Sequence, residues 1–201
     1  MSKTPKIVAN PSPVFLDLTV KKLQERLSLC EYVDDLSASA LFFGSGTIFG
    51  LAERDAETNA PRLFVGSDRN NIEYWRLEPN DELNSFAFFY ESGTRVRQQG
   101  KHYLADLSLV VWYNQKKFDN VKFRIQEAFI NEVIQRLSVN NPSITTLQVF
   151  TRQSDVYADF TLPEDTHGWL SAPYDGFKIR FQIATQQDCN FVFNAATGNN
   201  C

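Results

Sequence analysis

Cysteine is scarce in this chain. Cys30, Cys189 and Cys201 are its only three, and no Cys-x-x-Cys pair occurs. An odd, sparse set argues against a disulfide framework and for a reducing compartment. A pairing of Cys189 with Cys201 across the tail is the less favoured reading. Histidine is scarcer still: His102 and His167 have no Gly-x-Ser-x-Gly or cysteine motif near them, which lowers the expectation of nucleophilic catalysis. Basic clusters are missing too. The longest is Lys116-Lys117, in a chain of net charge −4, so wrapping a phosphate backbone by counterion release is disfavoured. No apolar run approaches the ~20 residues of a membrane span, and the first residues contain no apolar segment of the kind signal peptides carry. Asn10-Pro11-Ser12 and Asn141-Pro142-Ser143 both hold the proline that excludes N-glycosylation.

Aromatics, by contrast, are plentiful: 17 Phe, 7 Tyr and 3 Trp. They favour strands and interfaces, and so point to β structure and assembly. With 201 residues, 43% hydrophobic, the chain suits one domain able to bury roughly 70% of its unfolded surface.

The pattern along the chain divides it into an extended N-terminal arm over 1–13 with three prolines, a single domain over 14–186, and a small, polar C-terminal tail over 187–201. Val20, Leu23, Leu27 and Cys30 recur at helical spacing, with Lys21, Lys22, Gln24, Glu25 and Arg26 between them and Asp17 or Thr19 as the cap. A second helix is expected from a cap at Asp119 or Asn120, with Val121, Ile125, Ala128, Phe129, Val133 and Leu137 along one face. Strands are expected at 47–52, 62–65 and 72–77, the last two flanking a hairpin loop over 66–71, and then at 86–90, 103–113 and 144–150. Pro79-Asn80-Asp81 marks a turn. Phe177, Ile179, Phe181 and Ile183 alternate with Lys178, Arg180 and Gln182, predicting a strand with one buried and one solvated face. The order excludes regular βαβ units. It predicts an α+β domain: a mostly antiparallel β-sheet with two amphipathic helices packed on one face.

Chemical constellations are weak. Gly44, Gly46 and Gly50 do not make a phosphate loop: position 49 is Phe, no Gly-Lys-Ser/Thr follows, and the next residues read as strand, so a flexible turn is expected. Asp155, Asp159, Glu164, Asp165 and His167 crowd one segment without a His-x-x-x-His or an oxygen-ligand spacing. Tyr74, Trp75, Trp112, Trp169 and Tyr174 read as core and interface aromatics ahead of a stacking platform, because Arg76 is the only nearby cation of the first pair in sequence. No catalytic residue, metal or cofactor is expected. The stretch 152–175 is long for a connector, yet it holds Val156, Tyr157, Phe160, Leu162, Trp169, Leu170 and Tyr174. Left in water these would cost about 25 cal/mol per Å². They are the candidate interface residues, the competing reading being a lid over the domain's own sheet.

Taken in order, these landmarks resemble the tail-terminator and neck-completion proteins of long-tailed bacteriophages. The helix at 18–29 is followed by Thr47–Arg54 (TIFGLAER), the strand Pro61–Phe64, Glu73-Tyr74 and the turn at 79–81. Leu107–Tyr113, closing in Trp112-Tyr113-Asn114, then runs into the helix at 120–138, and Pro173-Tyr174 leads into Phe177–Ile183. The resemblance spans about residues 14–186 and is one of pattern and order. It implies a non-catalytic virion protein, assembled in the host cytoplasm. It further implies a homo-oligomeric, commonly hexameric ring that terminates the tail tube, with the tail-tube protein and head-connector or neck proteins as partners. DNA would pass through the lumen without specific binding, and no membrane would be involved. The extra length at 54–61, 66–71, 152–175 and the tail leaves open a tail terminator, a neck component or part of a related contractile device. The alternatives are a non-catalytic interaction module in another assembly such as a baseplate, and a small hydrolase using the acids of 155–167.

Overall fold

The computed structural model describes residues 4–11, 16–34, 38–65, 73–77, 81–93, 96–97, 102–118, 124–138, 144–161 and 171–186. Its framework is a mixed, mostly antiparallel sheet with two helices on one face, an α+β fold. The strands in chain order are β1 (Lys6–Val8), β2 (Glu31–Asp34), β3 (Ala38–Leu41), β4 (Thr47–Arg54), β5 (Pro61–Phe64), β6 (Tyr74–Arg76), β7 (Ser85–Glu91), β8 (Val96–Arg97), β9 (His102–Asn114), β10 (Ile144–Phe150) and β11 (Tyr174–Gln186). Nine of them form one sheet in the order β10-β11-β9-β7-β4-β5-β6, with β1 alongside β4 and β8 alongside β9. The β1–β4 and β4–β7 pairs are parallel. Strands β2 and β3 make a separate ribbon.

Helix α1 (Leu16–Leu27) buries Leu16, Val20, Leu23 and Leu27, as their spacing requires, and carries Asp17 in its first turn and Arg26 in its last, matching the helix dipole. Helix α2 (Ile125–Ser138) buries Phe129, Val133 and Leu137. It starts later than Val121; that residue and the caps expected at Asp119 or Asn120 lie outside the described residues. Both helices pack on the face lined by Ala105, Leu107, Leu109, Val111, Phe177 and Ile179. Phe129 is the centre of this layer. Its ring stacks on Phe42 at 4.1 Å and meets Phe177 edge-on at 5.4 Å.

Two features depart from expectation. The arm is more than an extended tail: Lys6–Val8 add a parallel strand against Thr47, Ile48 and Phe49, and Pro5 is buried. Gln24, placed by its pattern on the polar side of α1, is fully buried instead and ties the arm down, its Nε2 donating to Val8 O at 3.0 Å and Ile48 O at 2.9 Å. The second departure concerns the far face of the sheet, which is covered as well. Phe86, Phe88, Val110 and Trp112 pack under Val156, Tyr157 and Phe160, which follow β10 in a short helix α3 (Gln153–Val156) and the turn after it. The expected loop over 152–175 is therefore partly ordered, and β11 begins at Tyr174; residues 162–170 lie outside the described residues. So do the hairpin loop at 66–71 apart from its flanks, Pro79-Asn80, and the tail over 187–201 with Cys189 and Cys201. Cys30 is a buried free thiol, and burial pushes its pKa up.

Phe129→Ala should cost roughly 3–5 kcal/mol in urea unfolding, because four rings lose their common partner. Gln135→Ala, on the exposed side of the same helix, should stay within about 0.5 kcal/mol. Equal losses at the two positions would overturn the placement of the α2 face.

Candidate functional site

The alternation in β11 places Lys178, Arg180 and Gln182 on the face away from the helices. They were expected in solvent. Lys178 is only 3% exposed, because the segment after β10 folds over it. A buried ammonium needs a partner. Asp159, on that covering segment, supplies one: Lys178 Nζ donates to Asp159 Oδ2 at 2.9 Å. The Tyr90 hydroxyl, from β7, donates to the same carboxylate oxygen. Arg54, at the end of β4, approaches the other oxygen at 4.0 Å and lies over the Phe160 ring. Burial pushes the Asp159 carboxyl up, but hydrogen bonds from Tyr90 and Lys178 and the charges of Lys178 and Arg180 outweigh it, holding the group below the ordinary carboxylate range. Burial and the bond to Asp159 raise Tyr90 far above neutrality. At neutral pH this is an ion pair capped by a neutral phenol. In the fold it is a clasp fastening the 153–160 cover to the sheet.

Beside the clasp, Ser92, Asp106, Gln148, Arg180, Phe181 and Gln182 line a cleft of about 230 Å³. Strand register builds it: Arg180 stands opposite Ser108 on β9 and Gln148 on β10, and Gln182 stands opposite Asp106.

The sheet edges form a third region. At the β6 edge Tyr74 is 36% and Trp75 42% exposed, so the core reading does not hold for these two rings. Sequence-distant cations reach them: Arg62 lies 3.9 Å from the Tyr74 ring centroid and Lys6 5.4 Å from that of Trp75. Arg62 is in turn held by Asp55 at 2.7 Å, whose carboxyl is lowered to about 2 by hydrogen bonds from Thr58 and Glu57. Trp112 is core, and half-buried Tyr174 stacks on it at 5.2 Å.

Of the candidate interface residues, Val156, Tyr157 and Phe160 are buried in their own subunit, as in the lid reading, and so are not free to serve a neighbour. Tyr174 is partly committed in the same way. Leu162, Trp169 and Leu170 lie outside the described residues, as do Glu164, Asp165 and His167. Among the described residues no three His, Cys, Asp or Glu side chains gather as a metal site would require, and no helix is long and apolar enough to cross a membrane. Asp155 accepts from Ser154 at 3.1 Å, away from the partners of Asp159. The glycine turn at 44–46 is hydrogen-bonded, Gly46 N donating to Phe43 O at 2.7 Å, and it leads into β4. A Cβ at Gly46 would stand 2.3 Å from Ser85 O, so close approach of backbone is what this glycine serves.

Nothing in the local sequence flags Tyr90, Lys178 or Arg180. The one usable signal is indirect: the apolar residues of 156–160 need a surface, and the outward face of β11 is the surface within reach. Lys178→Met should therefore cost about 3–5 kcal/mol by stranding Asp159, with the Lys178→Met/Asp159→Asn double variant recovering part of it in urea unfolding. Because the folded-state pKa of Asp159 is lowered, its contribution is complete above about pH 4 and lost as pH falls through the folded value. Asp159→Asn should flatten the acid limb of the stability profile below about pH 4; an unchanged acid limb would show that the ion pair contributes nothing.

Comparison with protein-family models, with curated proteins and with solved structures finds no match.

Proposed function

We propose that the chain is a virion structural protein of a tailed phage, a subunit of a homo-oligomeric ring that terminates the tail tube and joins it to the head connector. One observation carries the assembly part of this reading. The centre of the large sheet is covered on both faces within the subunit, while both ends of its main strand order, β6 and β10, are open among the described residues. Open edges invite strand pairing, and proteins that stay monomeric usually blunt them.

At one edge, Val65 N donates to Glu73 O at 2.9 Å and Leu77 N to Pro61 O at 3.1 Å. This alternation turns the backbone groups of Tyr74 and Arg76 outward. Tyr, Trp and Arg, the residues of β6, are the types that dominate interface energetics. At the other edge, β10 (ITTLQVF) carries no charge and exposes 40% of Val149. Its irregular register between Thr145 and Gln148 protects the first half of the strand; the second half is regular. The two edges differ, so a contact between them is head to tail, the geometry that gives a ring when the rotation between subunits closes. The net charge of −4 is compatible with a lumen that DNA traverses without sticking. The phage assignment itself rests on the order of sequence landmarks.

Sedimentation and negative-stain electron microscopy of the full chain, alone and with tail tubes, test the proposal. Rings, alone or on tube ends, are expected. Trp75→Ala should weaken subunit association by about 30-fold, equivalent to about 2 kcal/mol, while leaving the circular dichroism unchanged. A chain that stays monomeric at all concentrations and ignores tube ends would overturn the ring. A stable ring that ignores tube ends would favour a subunit of another assembly.

A further inference from the structure

We propose that the cleft between β9, β10 and β11 binds a carboxylate flanked by an N–H donor, as in an amino acid, and that Arg180 is its anchor. The inference stands whether or not the subunit forms rings.

The cations of this face are unequally engaged. Lys178 is matched by Asp159 at 2.9 Å, and Arg54 reaches the same carboxylate at 4.0 Å. Arg180 has no carboxylate at ion-pair distance among the described residues, and its Nε is buried without an acceptor. A buried donor left unmatched costs about 1–3 kcal/mol and calls for an explanation. The guanidinium lies 5.7 Å from the centroid of the Phe150 ring, and the same ring takes Lys178 at 5.0 Å. Its position is thus set by a fixed aromatic neighbour instead of by a protein anion.

The side chains around it suit a carboxylate. Gln148 and Gln182 offer amide donors in the same cleft, and a planar guanidinium can take both carboxylate oxygens at once. Asp106 narrows the choice. It shares the cleft with Arg180 without forming an ion pair, standing against Gly93 so closely that a Cβ there would lie 2.5 Å from its Oδ2. A carboxylate beside the guanidinium repels a phosphate dianion. It also gives an ammonium or amide N–H next to the bound carboxylate a partner of opposite sign. One cation and one anion, close but not paired with each other, match the two ends of an amino-acid unit. A cleft of about 230 Å³ admits one such unit. The unit can be a free amino acid or the C-terminal residue of a peptide, the α-carboxylate and its neighbouring N–H being common to both.

The test is a titration of isotope-labelled full chain followed through the Arg180 Nε–H and the side-chain amides of Gln148 and Gln182. The probes are L-alanine, acetate, inorganic phosphate and N-acetyl-L-alanine. Saturable shifts are expected with alanine or its N-acetyl derivative, and weaker ones with acetate and phosphate. Tighter binding of alanine identifies a free amino acid as the ligand, and tighter binding of N-acetyl-alanine a peptide C-terminus. Arg180→Lys, which keeps the charge and loses the planar fork, should weaken binding at least about tenfold. Asp106→Asn should tighten acetate by about tenfold while weakening alanine, opposite signs that a merely structural aspartate would not produce. No saturable shift with any probe up to about 100 mM, a millimolar or weaker ceiling, would overturn the proposal. So would phosphate binding as tightly as alanine, or unchanged binding in Arg180→Lys.

Discussion

The centre of the sheet is apolar on both sides, and that constraint organises the rest of the chain. In β9, Leu107, Leu109 and Val111 face the helices while Val110 and Trp112 face away, and all are buried; β7 is buried along nearly its whole length. At ~1.5–3 kcal/mol for each large apolar side chain taken out of water, leaving the second face open would forfeit a sum comparable to the whole stability of a domain. The chain therefore needs two covers. Helices α1 and α2 make the first. Among the described residues the second is made by a four-residue helix and the turn after it, which supply Val156, Tyr157 and Phe160. The buried ion pair fastens this cover to the sheet. Asp159 reaches down to Lys178 and Tyr90 from the cover itself, so lifting the cover would strand charge as well as expose aromatic surface.

Legibility in the sequence follows from how many partners an element has. Helix α1 shows its core face through Val20, Leu23 and Leu27 because helical spacing is set within the element. Strand β11 shows the face of Phe177, Ile179 and Phe181 for the same reason. The reading fails at residues whose environment comes from elsewhere in the chain. Gln24 lies between charged residues on α1 and is nevertheless buried, because the arm passes over that side and brings the carbonyl of Val8. Lys178 alternates like a solvated residue and is buried for want of any local sign that residues 153–160 return to cover it. Strands β2 and β3 are short and weakly patterned, and pairing with each other is what defines them. The edge cations gather in the same non-local way, with Arg62 over the Tyr74 ring and Lys6 over the Trp75 ring, though neither is near them in sequence.

Among the described residues, the large sheet offers partners its edges and the cleft, and these differ physically. The β6 edge combines outward backbone groups with Tyr74 and Trp75, whose broad rings suit a strand-to-strand contact dominated by burial. The cleft is small and mixed in its lining, and it holds a guanidinium, a carboxylate and two amides on neighbouring strands of the sheet, a geometry that discriminates by charge and direction. The clasp joins neither region: its carboxylate is spent on Lys178 and Tyr90, and among the described residues this leaves Arg180 with capacity for an incoming anion. Asp159 thus acts on the cleft without lining it. By engaging Lys178 it removes one competitor for the ligand, while its own charge lowers the positive potential around Arg180. A carboxylate entering the cleft meets a field reduced by Asp159 and Asp106 together, so binding must depend on the directed N–H groups of Arg180, Gln148 and Gln182 more than on net charge.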